Sequence, residues 1–313
     1  GCSSGGAISG SSLRDGVVTV TVRQFEKTTM SSAVAQHAEA FTVGQSIGKK
    51  LSKPSLRAVL VFGDGVEVSG AELVRGLNST LDQSMVVVGG MAGDGGTFRR
   101  SWVLGGGSIR SGIAAAVGLY GEHIVVGHAS RSGWTKLGDE LTVTKSDGRV
   151  IYELDGRPAL AVYEERIALA GSGQLPLPLM IPLGVRASAR HEKSLVRTVL
   201  GVEPSKQALT LAVDVPQGYL VQPLKASTAS LLEAARDAAA SLPTSATPTG
   251  TNALVLTVSH ASRRLVLGKE DVSSEITTAT AALTGPSPHV TGFYGFGEIA
   301  PSAQGHSDLN NQS

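Results

Sequence analysis

Two stretches at opposite ends of the chain share one grammar, and it restricts what the polypeptide can become. MVVVGGMAGDGG (85–96) and HVTGFYGFGEI (289–299) each run from β-branched residues into glycines and close on an acid, Asp94 or Glu298. Glycines set into an apolar run suit a strand end where another backbone passes close by. A weaker version, GCSSGGAISG, stands at the start. Each full version also ends a strand–helix–strand pattern. AVLVF (58–62) leads through a Ser69–Glu72 capping box and the periodic Val74, Leu77 and Leu81 into MVVVGG. ALVLTVSH (253–260) leads through a helix expected at about 273–283 into HVTGFYGFGEI. The repetition reads as an old duplication. The fold expected is α/β (mixed α+β): two pseudo-duplicated halves with mixed β-sheets covered by helices. The right-handed crossover rule puts both glycine turns at carboxyl ends of strands, where such folds bind ligands.

Other elements follow from periodicity. VVTVTV (17–22) alternates and reads as a half-buried strand. Residues 31–52 carry Val34, Ala38, Phe41, Ile47 and Leu51 at near-helical spacing, interrupted by Gly44 and Gly48. SWVLGGG, IAAAVGLY and HIVVGH (within 101–128) read as successive strands. LTVTKSDGRVIYELDG (141–156) is a hairpin turning at Asp147-Gly148. RPALAVYEERIA (157–168) is a helix with Pro158 at its first position. SLLEAARDAAASL (230–242) is a helix opened by a Ser230–Glu233 box. The Gly/Pro-rich stretch 171–184 is the linker candidate, dividing the chain into 1–170 and 185–313.

Composition narrows the partners. A net charge of +1 argues against nucleic acid or an anionic membrane, which ask for a basic field. The basic cluster Arg186, Arg190, His191, Lys193 and Arg197 reads as a solvated face. One cysteine, Cys2, excludes an intramolecular disulfide and a multi-cysteine zinc site, so a reducing, cytoplasmic setting is expected. No signal peptide is visible, and LPLPLMIPLGV (175–185) is too short and proline-broken to span a bilayer. Dinucleotide and P-loop signatures are absent.

Three constellations invite chemistry. Gly1–Gly5 formally matches G-x-S-x-G, with Ser3 as a nucleophile and Cys2 as an alternative thiolate or a lipidated residue. That motif has a mechanism only between a strand and a helix, and this one has no strand before it. The seven histidines form no H-x-x-x-H pair; His128 and His260 end apolar runs and are best placed to face a pocket. Arg197, Arg263 and Glu298 could orient a zwitterion, guanidinium on carboxylate and acid on ammonium. Surface or structural ion pairs are the plainer reading.

Taken together, these motifs resemble the FIST sensory domain in both its N-terminal and C-terminal parts. GCSSGGAISG is similar to that family's GCSTAGEI-type start, and VVVGGMAGDG to its GGSAGDG segment. VIYELDGRPALAVYEE resembles its LDG-x-PA signature. GFYGFGEIAP and the later LNN resemble its closing GFYTYGEI and asparagine-containing end. The motifs fall in the family's order along nearly the whole chain. Two positions depart: Ala7 stands where glutamate is frequent, and His260 where a cysteine is. The resemblance also implies a strand and helix before GCS and a last strand after the asparagines, so the chain is expected to be clipped at both ends.

The resemblance implies a bacterial, cytoplasmic small-molecule sensor without catalysis, amino acids being the usual ligand proposal. Its output would come from a separate signalling protein such as a histidine kinase or cyclase, with no nucleic-acid or membrane partner. The pocket expected lies between the glycine turns at 89–95 and 292–298. Its walls would be Phe293 and Tyr294 and its polar anchors Asp94, Glu298 and Arg197, with Gly90 and Asn310 alongside. No cofactor is expected. The alternatives are a haem-binding nitric-oxide sensor with His128 or His260 as axial candidates, and a Ser/Cys hydrolase.

Overall fold

The computed structural model describes residues 1–168, 178–190, 194–242, 253–284, 288–302 and 306–312. It is a mixed α+β fold, as the sequence implies. Both crossover units form. Strands Leu56–Gly63 and Val86–Met91 are parallel, joined by helix α2 (Gly70–Asn78), which follows helix α1 (Ala40–Leu51). Strands Leu254–His260 and His289–Gly295 are parallel, joined by helix α5 (Ala261–Ala282). Helices α3 (Ala159–Ala168) and α4 (Thr228–Ala240) lie between the two units in sequence.

The first unit sits in a six-stranded sheet ordered Ser307–Asn310, Gly297–Pro301, Val86–Met91, Leu56–Gly63, Ile113–Tyr120 and Thr29–Gln36. The second sits in a four-stranded sheet with the short strands Ala7–Ser9 and Ser12–Arg14. The sheets exchange chain ends. Residues 7–9 pair with 291–293, while 297–299 pair with 89–91. HVTGFYGFGEI therefore belongs to both sheets, and the chain passes from one to the other at Phe296.

Each sheet has its own core. α1 and α2 pack on the larger one through Val43, Ile47, Leu51, Leu73 and Leu77, all buried against Val59, Val61 and Val87. Gly44 and Gly76 let these helices touch. A Cβ on Gly44 would strike the Leu73 carbonyl, and one on Gly76 the Phe41 carbonyl. Glycines that weaken the helical pattern in sequence are thus required by the crossing. α4 and α5 cover the smaller sheet through Leu231, Leu267, Val272 and Ile276 on Ile8, Val290 and Tyr294. A third, nine-stranded antiparallel sheet spans residues 135–225 and packs on α3. The two-halves reading had no place for it.

Several local expectations are corrected. VVTVTV forms no strand: Val18, Val20 and Val22 are 90%, 78% and 87% exposed, because the neighbouring edge strand Ser12–Arg14 pairs only with Ala7–Ser9. Residues 31–52 split into a strand, Thr29–Gln36, and α1. HIVVGH (123–128) is irregular and largely exposed. The hairpin turns one residue later than read, since Asp147 pairs with Val150 and Gly148 takes φ +52°. α3 begins at Ala159, with Pro158 held in a short pairing with Glu153. α4 is capped by Ser227 with Ser230 rather than by Ser230 with Glu233. At α2 only half a capping box forms: Ser69 Oγ accepts from the Glu72 amide, while the Glu72 carboxylate pairs with Arg75. α5 starts at Ala261, straight after its strand, and kinks at Gly268 (φ +69°). Residues 171–177 of the proposed linker, and His191 and Lys193, lie outside the described residues.

Candidate functional site

Three glycine-rich segments meet where the sheets exchange strands. The Gly5 amide donates to the Tyr294 carbonyl at 2.7 Å, the Gly93 amide to the Ser3 carbonyl at 3.1 Å, and the Phe296 amide to the Met91 carbonyl at 3.0 Å. The starting GCSSGG, the MAGDGG turn and the GFYGFG segment are therefore one bonded unit. A Cβ on Gly295 would collide with the Met91 carbonyl, so no other residue allows this approach.

Beside this unit opens a groove of about 1170 Å³. Its floor is the loop 1–7 and the turn 93–98. One wall carries Leu60 and Phe62 from the larger sheet, and the other Leu254, Leu256 and Phe293 from the smaller. The Phe62 and Phe293 rings touch, centroids 5.9 Å apart and tilted by 45°. Residues 14–23 run along the rim, tied down by Thr21 Oγ1 donating to Thr291 Oγ1 at 2.9 Å. Trp102, 41% exposed, also faces in.

Of the site residues expected from sequence, Asp94 and Phe293 line the groove; Gly90, Arg197, Tyr294, Glu298 and Asn310 do not. Asp94 is occupied. Its carboxylate accepts from the amides of Thr97, Phe98, Arg99 and Arg100 and from Thr97 Oγ1, closing its own loop. Partial burial pushes its pKa up, but these bonds outweigh that and hold it at about 2. Arg197 is buried and donates to the Leu309 carbonyl at 2.6 Å. Desolvation lowers it to about 10 against the pull of Asp308. Glu298 is buried in the larger sheet between Gly90 and Asn310.

Tyr294 is a structural residue behind the wall. Its hydroxyl donates to the Glu275 carboxylate, which also accepts from Ser259 Oγ at 3.2 Å and from Arg263 Nε at 2.7 Å. Arg263 further donates to the Ser132 and Leu231 carbonyls. Burial raises the Tyr294 pKa, so it stays a phenol. Arg263, proposed to hold a zwitterion, is consumed here.

The remaining candidates are equally committed. His260 is fully buried at the start of α5, where Nδ1 accepts from the Ser262 amide at 3.0 Å and the ring bonds the Phe296 backbone. Desolvation lowers it to about 3, so it is neutral. His128 is exposed on an irregular segment. Burial pushes the Cys2 thiol up to about 12, the opposite of an activated nucleophile. Ser3 Oγ accepts from the Trp102 amide at 3.0 Å. Among the described residues no three His, Cys, Asp or Glu side chains cluster to hold a metal ion. Nor is any helix among them long and apolar enough to cross a membrane.

Sequence reasoning missed Phe62, Trp102, Arg100, Arg264 and Lys269. Phe62 had a signal, being the last side chain of AVLVF before Gly63 at a strand's carboxyl end. Trp102 and the basic residues had none, because they reach the groove from loops and from the kink of α5.

These features define a class of mixed α+β domains in which two parallel crossover units share a glycine-lined groove. The chain belongs to the FIST family, associated with sensory and signal-transduction proteins: the FIST N domain matches residues 1–157 and the FIST C domain residues 159–301. Relatives include an uncharacterized protein of Methanocaldococcus jannaschii, 28% identical over 184 residues, covering 54% of this chain and 35% of that protein. An uncharacterized protein of Mycobacterium tuberculosis is 30% identical over 253 residues, covering 76% of this chain and 61% of that protein. The chain thus spans less than two thirds of either relative.

Proposed function

We propose that the groove is the ligand site of a sensory domain, binding a small metabolite and passing its occupancy to a separate signalling protein such as a histidine kinase or cyclase. One observation carries this reading. The three glycine-rich segments, far apart in sequence, are bonded together at a single concavity with aromatic walls. Binding sites are concave and mostly apolar with a few polar groups, and this groove has that composition. Its segments also join the two sheets, so a ligand that draws the walls together acts on both cores. Amino acids and related metabolites are the first class to screen, in a cytoplasmic setting and without a cofactor.

Thermal unfolding against such a library tests the reading, since a ligand that binds only the folded state raises the melting temperature by mass action. Hits are expected to change tryptophan emission in the wild type and to lose that change in Trp102→Phe. A library that shifts nothing at millimolar concentration overturns the proposal.

A further inference from the structure

The charges around the groove do not suit a zwitterion. Five cationic side chains line it, Arg14, Arg23, Arg100, Arg264 and Lys269, against two carboxylates, Asp15 and Asp94. Both carboxylates are used. Asp94 takes the five donors of its own loop, more than its four lone-pair positions hold singly. Asp15 is bound by both terminal nitrogens of Arg264, one at 2.7 Å, and Arg264 also reaches the Gly5 carbonyl. No carboxylate in the groove is left to receive an ammonium. Arg14, Arg100 and Lys269, by contrast, are exposed on it and form no salt bridge among the described residues. At Gly95 and Gly96, φ is +81° and +95°, and no atom lies within 4 Å of where a Cβ would stand, so the loop backbone is open to a head group.

The apolar side is equally specific. Trp102, Leu254, Leu265, Val17 and Val18 are all large, exposed and in this one concavity. Concentrated apolar exposure rimmed by charge marks a binding surface. We infer that the groove takes an organic anion: a carboxylate or phosphate head held by Arg14, Arg100 and Lys269 over the 94–96 turn, on an aromatic or extended apolar body lying along Phe62, Phe293 and Trp102. The inference rests on the groove being the ligand site and excludes an ammonium-bearing ligand.

Calorimetric titration of four probes with one aromatic body separates the cases: 2-naphthylacetate, 1-naphthyl phosphate, 2-naphthylalanine and 2-naphthylethylamine. One or both anions bind at least tenfold more tightly than naphthylalanine, the amine gives no heat of binding, and anion affinity falls as sodium chloride is raised. The better of the two anions identifies the head group. Arg100→Ala with Lys269→Ala weakens that anion roughly five- to tenfold, as for two partly solvated ion pairs, without changing the thermal midpoint of the free protein. Naphthylalanine binding as tightly as the anions, or anion affinity unchanged in the double variant, overturns the charge assignment and leaves the groove as a ligand site. If none of the four binds, the groove reading fails with it.

Discussion

Glu298 lies directly across the ladder from Gly90, the acid of one glycine segment paired with a glycine of the other. The two motifs that look alike in sequence are therefore neighbours in one sheet. The residue best placed by sequence to bind a ligand is instead built into the seam. A Cβ on Gly90 would sit 2.8 Å from Val258 Cγ1 and 2.9 Å from the Gly297 carbonyl oxygen. A backbone oxygen cannot turn aside as a side chain can. Gly90→Ala is expected to cost about 1–3 kcal/mol, the range for overpacking a filled interior, and Gly90→Val more. Urea unfolding midpoints check the order, and an alanine variant as stable as wild type would contradict this packing.

The Tyr294–Glu275–Arg263 network predicts an asymmetry. Tyr294→Phe removes one hydrogen bond to a charged group, a loss of about 1.5–3 kcal/mol, and leaves Glu275 with Arg263 and Ser259. Glu275→Ala strands a buried guanidinium and is expected to cost about 3–5 kcal/mol. The pair adds less than the sum, because the tyrosine hydroxyl has already lost its acceptor once Glu275 is gone. Equilibrium unfolding of both single variants and the double one measures the coupling; strict additivity would break the network apart.

Cys2 is expected to be an inert thiol. With its pKa pushed up to about 12 by burial, almost none is thiolate at pH 8. A disulfide reagent at pH 8 should label the folded protein far more slowly than the protein in urea. Fast labelling of the folded chain would restore a nucleophile at this loop.

Local chemistry made much of this legible. The parallel crossovers, the glycine turns and the order of the motifs are written in spacings of a few residues, and all are found. What the sequence hid is where side chains are spent. Asp94 reads as an open anchor, yet its five partners follow it within six residues and fold back on it. Tyr294 alternates with Phe293 along one strand, so period two sends one to the groove and the other to the core. Nothing in HVTGFYGFGEI says which face is which until α5 covers one of them. VVTVTV has the pattern of a strand and lacks only a neighbour to pair with, which is a property of the sheet and not of the segment.

His260 provides the pH test. Its ring is neutral in the folded protein, with a pKa lowered to about 3 by desolvation, whereas the unfolded chain takes up a proton near 6.5. Between those values the unfolded state binds more protons, so the contribution to stability is fully present above about 6.5 and is lost as pH falls through the window. One such group gives a slope on the order of 1 kcal/mol per pH unit. His260→Asn keeps an acceptor for the Ser262 amide at the helix start and removes the titration. The variant is expected to be less stable at pH 7, having lost the bond to Phe296, yet to show a flatter decline from pH 6.5 to pH 4 than the wild type. Chemical unfolding at half-unit pH steps reads both slopes, and parallel curves would mean that His260 does not stay neutral within the fold.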